Sequence, residues 1–375
     1  MARSRDTTVR RRPMIRIAGA VLAIALVAAL GCTNGAPSPR AIVAVPRYEA
    51  QPTATPAPIA FPRDDGSHDA LTEWWYYTGH LDSGDDSYGF EFVIFRSARR
   101  GAPTGYASHF AITDRRGKSF AYDQRFRVSV FDTPRDRLDF SVGDWSVAGA
   151  DGVDRIHAST GRYTLDLNVA SRKPPALHGG NGIISFGAAG DSYYYSRTRM
   201  EADGTLITDG ALQNVRGVAW MDHQWGNFVS TTGGWDWFSF HLDDGADLTG
   251  SIVRDDRGAT VLTYGTYVDP AGRAVHLGSD DFIVSAFAEW RSLRTGAIYP
   301  AAWRIRVPSL DVDLESRPIV SDQELDTRAT TGVVYWEGAV EAIGRSRGRL
   351  VSGRGYVELT GYADRLNRKP EGATK

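Results

Sequence analysis

Two stretches of sixteen residues match each other, and this internal repeat most strongly constrains how the chain can fold. Residues 74–89 read WWYYTGHLDSGDDSYG and residues 235–250 read WDWFSFHLDDGADLTG, with seven of sixteen positions identical and no gap. Each stretch combines an aromatic run with a turn rich in Asp and Gly, which is typical of a β-hairpin. The repeat therefore predicts two similar β domains in tandem, each opening with the same hairpin.

The remaining sequence also favours strands joined by tight turns. Apolar and polar residues alternate over 88–95, 163–169 and 303–314, and Asp and Gly cluster between such runs. Beyond residue 31 we find no long segment with the 3.6-residue period of a helix. The 40 glycines and the aromatic content of 11% fit the same interpretation. We predict an all-β fold, either a sandwich or a barrel.

The first sixty residues have a different composition. Residues 1–31 carry a basic head and the apolar run IAGAVLAIALVAAL, which predicts a signal peptide for either the Sec or the twin-arginine route. The segment Ala-Leu-Gly-Cys ending at Cys32 resembles a bacterial lipobox, so we expect lipidation at this sole cysteine. Residues 32–60 are rich in Pro, Ala and Thr and read as a flexible tether. We expect an exported lipoprotein at the outer membrane facing the periplasm, or at the cell surface.

The charge of the predicted mature chain excludes one class of partner. Residues 1–31 hold six Arg and one Asp, so their removal changes 43 basic and 45 acidic residues to 37 and 44. No basic stripe remains, which argues against nucleic acid. We expect contact with the membrane only through Cys32.

Several longer motifs resemble one known family. They read FPRDDG at 61–66, TEWWYYTG at 72–79, WMDHQWG at 220–226, YWEGAV at 335–340 and GYVELTGY at 355–362. Together they resemble the AttH/carotenoid 1,2-hydratase (CrtC-like) family, in its secreted two-domain branch. The resemblance implies two tandem lipocalin-like antiparallel β-barrels, which we place at residues 61–229 and 230–366.

The resemblance also implies addition of water to an isoprenoid double bond. That chemistry needs an acid to protonate the alkene, a group to stabilise the cation and a base to deliver water. A buried carboxyl, aromatic faces and an imidazole can supply them, so we expect no metal site and no cofactor. In line with this, the eight histidines show no common metal-ligand spacing.

The segment 220–226 concentrates the candidate catalytic residues. In an extended strand, His223 and Trp225 share one face and Asp222 lies on the other. The resemblance implies catalytic roles for His223 and Trp225, and its acid matches Asp243 best. Asp222 is a further candidate. Structural roles remain open for these residues: a turn position for Asp243, an inter-domain hydrogen-bond acceptor for Asp222, and a bridging imidazole for His223.

Other residues are candidates for the acid or for substrate contact. Glu73 is either a buried acid lining the first barrel or part of an ion pair with an arginine. Core packing is the alternative role for the predicted substrate-binding residues, which are Trp74, Trp75, Tyr76, Trp220, Trp235, Trp237 and His241.

Three functions remain open at the level of sequence. The first is a cofactor-independent hydratase acting on an apolar isoprenoid, carotenoid-like or lipid substrate. The second is a lipocalin-like lipid carrier without catalysis. The third is a lipid or ester hydrolase, although the G-x-S-x-G match at 344–348 reads as a hairpin turn rather than a nucleophile elbow. For the first two we expect an apolar chamber near the junction of the domains, with His223 and Trp225 pointing into it. The oligomeric state stays open.

Overall fold

The computed structural model describes residues 57–99, 102–129, 134–228 and 233–365. The predicted signal peptide, Cys32 and most of the predicted tether lie outside these residues. In the described part of the chain, no helix is both long and apolar enough to cross a membrane.

The first sheet is antiparallel and barrel-like. It contains β1 (Thr72–Ser83), β2 (Asp86–Ser97), β3 (Thr104–Asp114), β4 (Ser119–Ser129), β5 (Leu138–Val142), β6 (Trp145–Ala150), β7 (Val153–Ser159), β8 (Tyr163–Ser171), β9 (Ala176–Leu177), β10 (Ile183–Ser185), β11 (Asp191–Thr208) and β12 (Ala211–Gly226). Its order is β4-β3-β2-β1-β12-β11-β8-β7-β6-β5, with β9 and β10 beside β11. These strands follow one another as an antiparallel meander. The first long strand, β1, also pairs with the last one, β12.

The second sheet repeats this plan. It contains β13 (Trp235–Leu242), β14 (Asp247–Arg254), β15 (Thr260–Val268), β16 (Ala274–Leu277), β17 (Ile283–Arg291), β18 (Ile298–Val307), β19 (Val312–Pro318), β20 (Glu324–Asp326), β21 (Val334–Ser346) and β22 (Arg349–Leu359). Its order is β16-β15-β14-β13-β22-β21-β19-β18-β17, with β20 beside β21. A four-residue helix, α1 (Tyr362–Arg365), follows. The all-β prediction is confirmed.

The two matching sequence stretches occupy the same place in each sheet. The first forms the β1–β2 hairpin and the second forms the β13–β14 hairpin. In both sheets the opening strand also pairs with the final strand of its own meander. Gly84 and Gly245 lie in the two hairpin turns with φ of 58° and 87°, a region that favours glycine. Duplication of an ancestral β domain predicts that the two hairpins occupy equivalent places in the two sheets, as they do.

The G-x-S-x-G match forms a turn between strands. β21 ends at Ser346 and β22 begins at Arg349, so the serine lies at the end of a hairpin strand. Arg347 and Gly348 both have positive φ. The hairpin prediction is confirmed, and this serine does not occupy the strand–turn–helix context that a nucleophile elbow requires.

Each sheet alternates side chains between its own core and the other sheet. On β1, Trp75 and Tyr77 point into the first core, whereas Tyr76 packs with Trp237 from the second sheet. The hydroxyl of Tyr76 donates to Oε1 of Glu337 on β21 at 2.7 Å. The two sheets belong to one compact unit, and the outward face of β12 is buried over its C-terminal half, as is the middle part of that of β1.

Candidate active site

β12 places His223 and Trp225 in the interior of the first sheet. His223 lies opposite Trp75 of β1, and Trp225 lies opposite Glu73. The imidazole is fully buried, and Trp225 belongs to the first core. Asp222 points the other way, toward the second sheet, as a straight strand requires.

Glu73 lies at the centre of a group of polar side chains inside the first sheet. Its carboxylate is fully buried. Oε1 lies 3.0 Å from Nε2 of His223 and 2.7 Å from Nδ1 of His68. Nη1 of Arg96 lies 3.5 Å from Oε2. Both interpretations of Glu73 therefore describe its position, since it is a buried acid and is also paired with an arginine. We call His68, Glu73, His223 and Trp225 the Glu73 site.

His68 comes from the segment that precedes β1 and connects the site with solvent. Its side chain is 19% exposed, whereas Glu73 and His223 are completely covered. The imidazole stacks on Trp225 with ring centroids 3.9 Å apart and an interplanar angle of 4°. Nε2 lies 3.3 Å from Oδ1 of Asp64, which fixes the ring from its other side. The orientation of His68 is therefore determined by three neighbours.

A second polar chain continues from His223 deeper into the first sheet. Nδ1 of His223 lies 3.3 Å from the hydroxyl of Tyr195. That hydroxyl donates to Asp65 at 2.9 Å, and Arg197 donates to the same carboxylate oxygen at 3.0 Å. Hydrogen bonds thus link the imidazole to a buried ion pair, which holds the ring in place.

Burial and hydrogen bonding oppose each other at Glu73 and His223. Burial acts to raise the pKa of Glu73, but the hydrogen bonds from His223 and His68 outweigh it, and the pKa lies below its ordinary value. Burial lowers the pKa of His223 even though Glu73 acts in the opposite sense. The pair therefore combines an ionised carboxylate with a neutral imidazole near neutral pH, which is a suitable arrangement for moving protons.

Partly buried apolar side chains lie beside Trp225 and Tyr195. Tyr193 stacks with Trp225 at 5.1 Å, and Phe61 contacts the ring of Tyr195 at 4.8 Å. These residues, with Ile59 and Leu177, are partly buried against the first core. We call Ile59, Phe61, Leu177 and Tyr193 the apolar rim. A substrate approaching His68 would meet these side chains beside the imidazole, together with the ion pair of Arg63 and Asp64.

Asp222 belongs to a separate group between the sheets. It accepts hydrogen bonds from the hydroxyl of Tyr194 at 2.6 Å, from Nε1 of Trp220 at 2.6 Å and from Ser196. Tyr194 in turn accepts from Nε1 of Trp237 across the interface at 3.1 Å. Burial raises the pKa of Asp222 to about 6 despite these donors. The carboxylate thus links the sheets through Tyr194, on the face of β12 opposite His223.

The structure does not bring Asp243 into the Glu73 site. Asp243 lies in the turn after β13. It accepts hydrogen bonds from the hydroxyl of Ser352 at 2.6 Å and from the backbone N–H of Ser352 at 3.0 Å. The Ser352 hydroxyl lowers the pKa of this exposed carboxylate. A β-hairpin turn carries its residues away from the sheet interior, and Asp243 therefore occupies the alternative position predicted for it.

The predicted substrate-binding residues separate into two groups. Trp75 is the member inside the first sheet, where its ring stacks on His223 at 4.7 Å. His241 belongs to the second group, because its ring contacts that of Trp220, and its Nε2 hydrogen-bonds the backbone oxygen of Thr198 at 2.7 Å. The remaining residues pack between the sheets and are Trp74, Tyr76, Trp220, Trp235 and Trp237.

The surroundings of His223 differ from the apolar chamber expected at the domain junction. His223 and Trp225 face the first core, which large side chains such as Trp75, Tyr77 and Trp145 fill. A cavity of about 160 Å³ lies elsewhere, lined by Ser185, Phe186, Gly187, Val261 and Leu262. The approach to His223 is therefore through His68 and the apolar rim.

Sequence reasoning missed His68, Arg96 and Tyr195. His68 lies five residues before Glu73, between two motifs of the family signature, and no spacing rule links it to His223. Arg96 and Tyr195 lie on β2 and β11, the strands beside β1 and β12. The alternation of side chains along these strands could have indicated which residues point inward. Tyr195 does so, because it lies directly opposite His223.

The fold and the site together define a two-sheet, all-β protein whose first sheet encloses an imidazole–carboxylate site. A family model described as AttH-like matches residues 52–362. The chain therefore belongs to the AttH-like family, as its motifs predicted.

Solved structures support this assignment. An AttH-like structure from Nitrosomonas europaea is 33% identical, with a TM-score of 0.75, and covers 84% of this chain and 100% of its own. Kievitone hydratase from Nectria haematococca has a TM-score of 0.65 at 18% identity, covering 81% of this chain and 93% of its own. This second likeness concerns the fold.

Two curated relatives carry the names of enzymes. Kievitone hydratase of Fusarium solani subsp. phaseoli is 25% identical over 240 residues, covering 59% of this chain and 65% of the relative. Dehydratase asqC of Emericella nidulans is 24% identical over 227 residues, covering 55% of this chain and 60% of the relative. The matches thus span less than two thirds of the length of these relatives.

Proposed function

We propose that this chain is a hydro-lyase that adds water to a carbon–carbon double bond, or forms such a bond by removing water from an alcohol, at the Glu73 site. One observation carries the proposal. A buried carboxylate contacts two imidazoles, of which one is shielded and the other, on His68, reaches the surface. Such a group can pass a proton between a bound substrate and the protein interior.

The names of the curated relatives support this class of reaction. One is a hydratase and the other is a dehydratase, and these are two directions of the same chemistry. The shared feature of that chemistry is proton transfer at carbon or at a leaving hydroxyl group. An imidazole–carboxylate pair is suited to both directions.

The proposed reaction uses the residues of the site in sequence. In hydration, His68 gives a proton to one alkene carbon, and a water molecule adds to the other carbon. The second proton of that water returns to the site, so Glu73 and the imidazoles end as they began. In dehydration, the site protonates the leaving hydroxyl and takes a proton from the neighbouring carbon. Trp225 positions His68 through stacking, and Arg96 holds Oε2 of Glu73.

The apolar rim favours an apolar substrate. Its four side chains offer no charge to a ligand, and aromatic rings can stabilise a carbocation by about 0.5–2 kcal/mol each. We therefore propose an alkene within an isoprenoid, carotenoid-like or other lipid molecule as the substrate. Because the first core is filled with aromatic side chains, the reacting end of such a molecule would lie at the rim rather than deep within the sheet.

The experiment is incubation of the full chain with a panel of isoprenoid and polar alkenes in water enriched in oxygen-18. Mass spectrometry then shows which alkenes gain labelled water. We expect labelled alcohol from apolar alkenes only, with no labelling in the Glu73→Gln variant. The matched control is His157→Gln, because His157 also pairs with a carboxylate, Asp166, but on the exposed surface. Binding of an apolar alkene without labelling would instead identify a lipid carrier.

A further inference from the structure

We propose that His68, Glu73 and His223 form a binding site for a divalent transition metal ion, with zinc as the best match. Each residue offers one ligand atom, and these three atoms lie within 4.8 Å of one another. Two imidazole nitrogens and one carboxylate oxygen are a ligand set typical of catalytic zinc. The set joins a segment before β1 with two strands that are distant in sequence, which is why no spacing motif indicates it.

The ligand atoms need only small movements to surround a metal ion. Oε1 of Glu73 is 2.7 Å from Nδ1 of His68 and 3.0 Å from Nε2 of His223. Zinc binds such atoms at about 2.0–2.2 Å, so ligands around a tetrahedral ion are about 3.4 Å apart. The two distances from Oε1 must therefore grow by less than about 1 Å, and the two imidazole nitrogens, which lie within 4.8 Å of each other, must approach to about 3.4 Å. Side-chain rotation can provide both changes.

The partners of His68 orient it as a metal ligand. Both ring nitrogens face carboxylate oxygens, Nε2 toward Asp64 and Nδ1 toward Glu73. Ionised carboxylates only accept hydrogen bonds. When the proton on Nε2 is donated to Asp64, the lone pair of Nδ1 points into the site. A ligating histidine whose other nitrogen donates to a carboxylate is the usual arrangement around protein-bound zinc.

His223 and Glu73 have matching second contacts. Nδ1 of His223 lies 3.3 Å from the hydroxyl of Tyr195, which leaves Nε2 directed at the site. Oε2 of Glu73 accepts from the backbone N–H of His68 at 3.1 Å and lies 3.5 Å from Arg96. The same N–H lies 3.2 Å from Oε1, and Oε1 is the oxygen that faces both imidazoles, so it is the ligand atom that Glu73 offers.

The exposure of the site matches that of a zinc ion with an open position. His68 is partly exposed while the other two ligands are covered. Solvent can therefore reach a bound ion on one side. Three protein ligands with one open position are typical of catalytic rather than structural zinc.

Metal binding has a functional consequence, and this part of the inference rests on the proposed function. A bound ion would use the same lone pairs that proton transfer requires. We therefore expect stoichiometric zinc to inhibit water addition and chelation to restore it. The binding itself does not depend on the substrate or on catalysis.

The test is a calorimetric titration. The full chain is first treated with a chelator, the chelator is removed, and zinc chloride is then added in steps. Cobalt(II) chloride serves as a second probe, because tetrahedral cobalt has a distinctive visible absorption. The variants are His68→Gln, Asp64→Asn and His157→Gln. His68→Gln alters a partly exposed side chain, and His157→Gln removes a surface imidazole. Asp64→Asn alters the contact of a ligand, together with the contacts of Asp64 to Arg63 and to the backbone N–H of Ala60. Circular dichroism checks that each variant is folded.

We expect one zinc ion per chain and a tetrahedral cobalt spectrum. Asp64→Asn should weaken zinc binding about tenfold or more, His68→Gln should weaken it further, and His157→Gln should bind as the unaltered chain does. Equal binding by folded His68→Gln, or no stoichiometric binding by the unaltered chain, would overturn the metal site while leaving the hydro-lyase proposal intact. Zinc binding without any turnover of alkenes would support the metal site and count against the proposed function alone.

Discussion

Oε1 of Glu73 lies 3.0 Å from Nε2 of His223, although the two residues are 150 positions apart in the chain. They meet because β1 and β12 are the first and last long strands of one meander and pair with each other. Closure of the first sheet thus assembles the site. Neither residue has its partner within its own sequence motif.

Replacement of Glu73 by Gln should abolish most of the proposed activity. The amide keeps the size of the side chain but cannot take up a proton. It also replaces one of the two accepting oxygens of the carboxylate with an NH₂ group, which only donates. Loss of a general acid–base group typically lowers turnover by about 10²–10⁴-fold. Steady-state kinetics on an accepted alkene would measure kcat, and we expect KM to change little because the apolar rim is unaltered.

Two results would contradict this role of Glu73. One is full turnover by a folded Glu73→Gln variant. The other is an equal loss in His157→Gln, since that exposed pair with Asp166 has no connection with the site.

Replacement of Asp222 by Asn should affect stability rather than chemistry. Asp222 accepts three buried hydrogen bonds, and the amide group would direct its own N–H at one of these donors. A buried polar group without a partner costs about 1–3 kcal/mol. Urea unfolding should show a lower free energy of unfolding by this amount. A large loss of turnover at unchanged stability would instead favour the catalytic role predicted from sequence.

The carboxyls buried between the sheets should contribute a free energy of unfolding that falls as pH rises, whereas buried His80, His109 and His178, whose pKa burial lowers to about 3, act in the opposite sense. Neither oxygen of Glu91 has a hydrogen-bond partner among the described residues, and burial, followed by the charge of Glu358, raises its pKa well above 4.5. Burial raises the pKa of Glu358 to about 7. Above pH 4.5 the unfolded chain has lost protons that the folded chain keeps. The contribution of each of these two carboxyls is thus complete below that pH and decreases by up to about 1.4 kcal/mol per pH unit until its folded-state pKa is reached.

Glu91→Gln tests the origin of this pH dependence. The variant cannot ionise at this position, so its free energy of unfolding should rise relative to that of the unaltered chain by up to about 1.4 kcal/mol per pH unit between pH 5 and about pH 7. Chemical unfolding at several pH values measures the slope. Glu315→Gln, an exposed position on β19, should keep the slope of the unaltered chain. An unchanged slope in Glu91→Gln would show that Glu91 ionises at its ordinary pKa.

Asp243→Asn should leave turnover unchanged. The carboxylate is exposed and contacts Ser352 across the turn, with no hydrogen bond to the Glu73 site. The same kinetic assay measures the effect. A loss comparable to that of Glu73→Gln would restore Asp243 as the acid that the family resemblance implies.

Much of the fold was predictable from local patterns. The alternation along β1 correctly separates Trp75 from Tyr76, because strand side chains alternate between faces whatever the tertiary structure. The repeated hairpin also predicted two sheets with a common plan. The pairing of β1 with β12 was not predictable in this way, since a hydrophobic pattern does not specify which distant strand lies alongside.

The site was predictable only in part for the same reason. The alternation places His223 and Trp225 on one face, but it cannot show that this face meets Glu73 and His68. Asp243 was favoured because it best matches the acid that the family resemblance implies, whereas its turn position removes it from the sheet interior. His68 precedes the first strand, and its place over Trp225 depends on the path of a loop that strand periodicity does not describe.

The most direct measurement is hydration of one accepted alkene in deuterium oxide, followed by nuclear magnetic resonance of the alcohol. If the Glu73 site delivers the proton, the unaltered chain should place a single deuterium on one carbon with one stereochemistry. Glu73→Gln and His68→Gln should form almost no labelled product, and His157→Gln should match the unaltered chain. Deuterium on both faces of that carbon, or undiminished labelling by folded Glu73→Gln, would contradict proton transfer at this site.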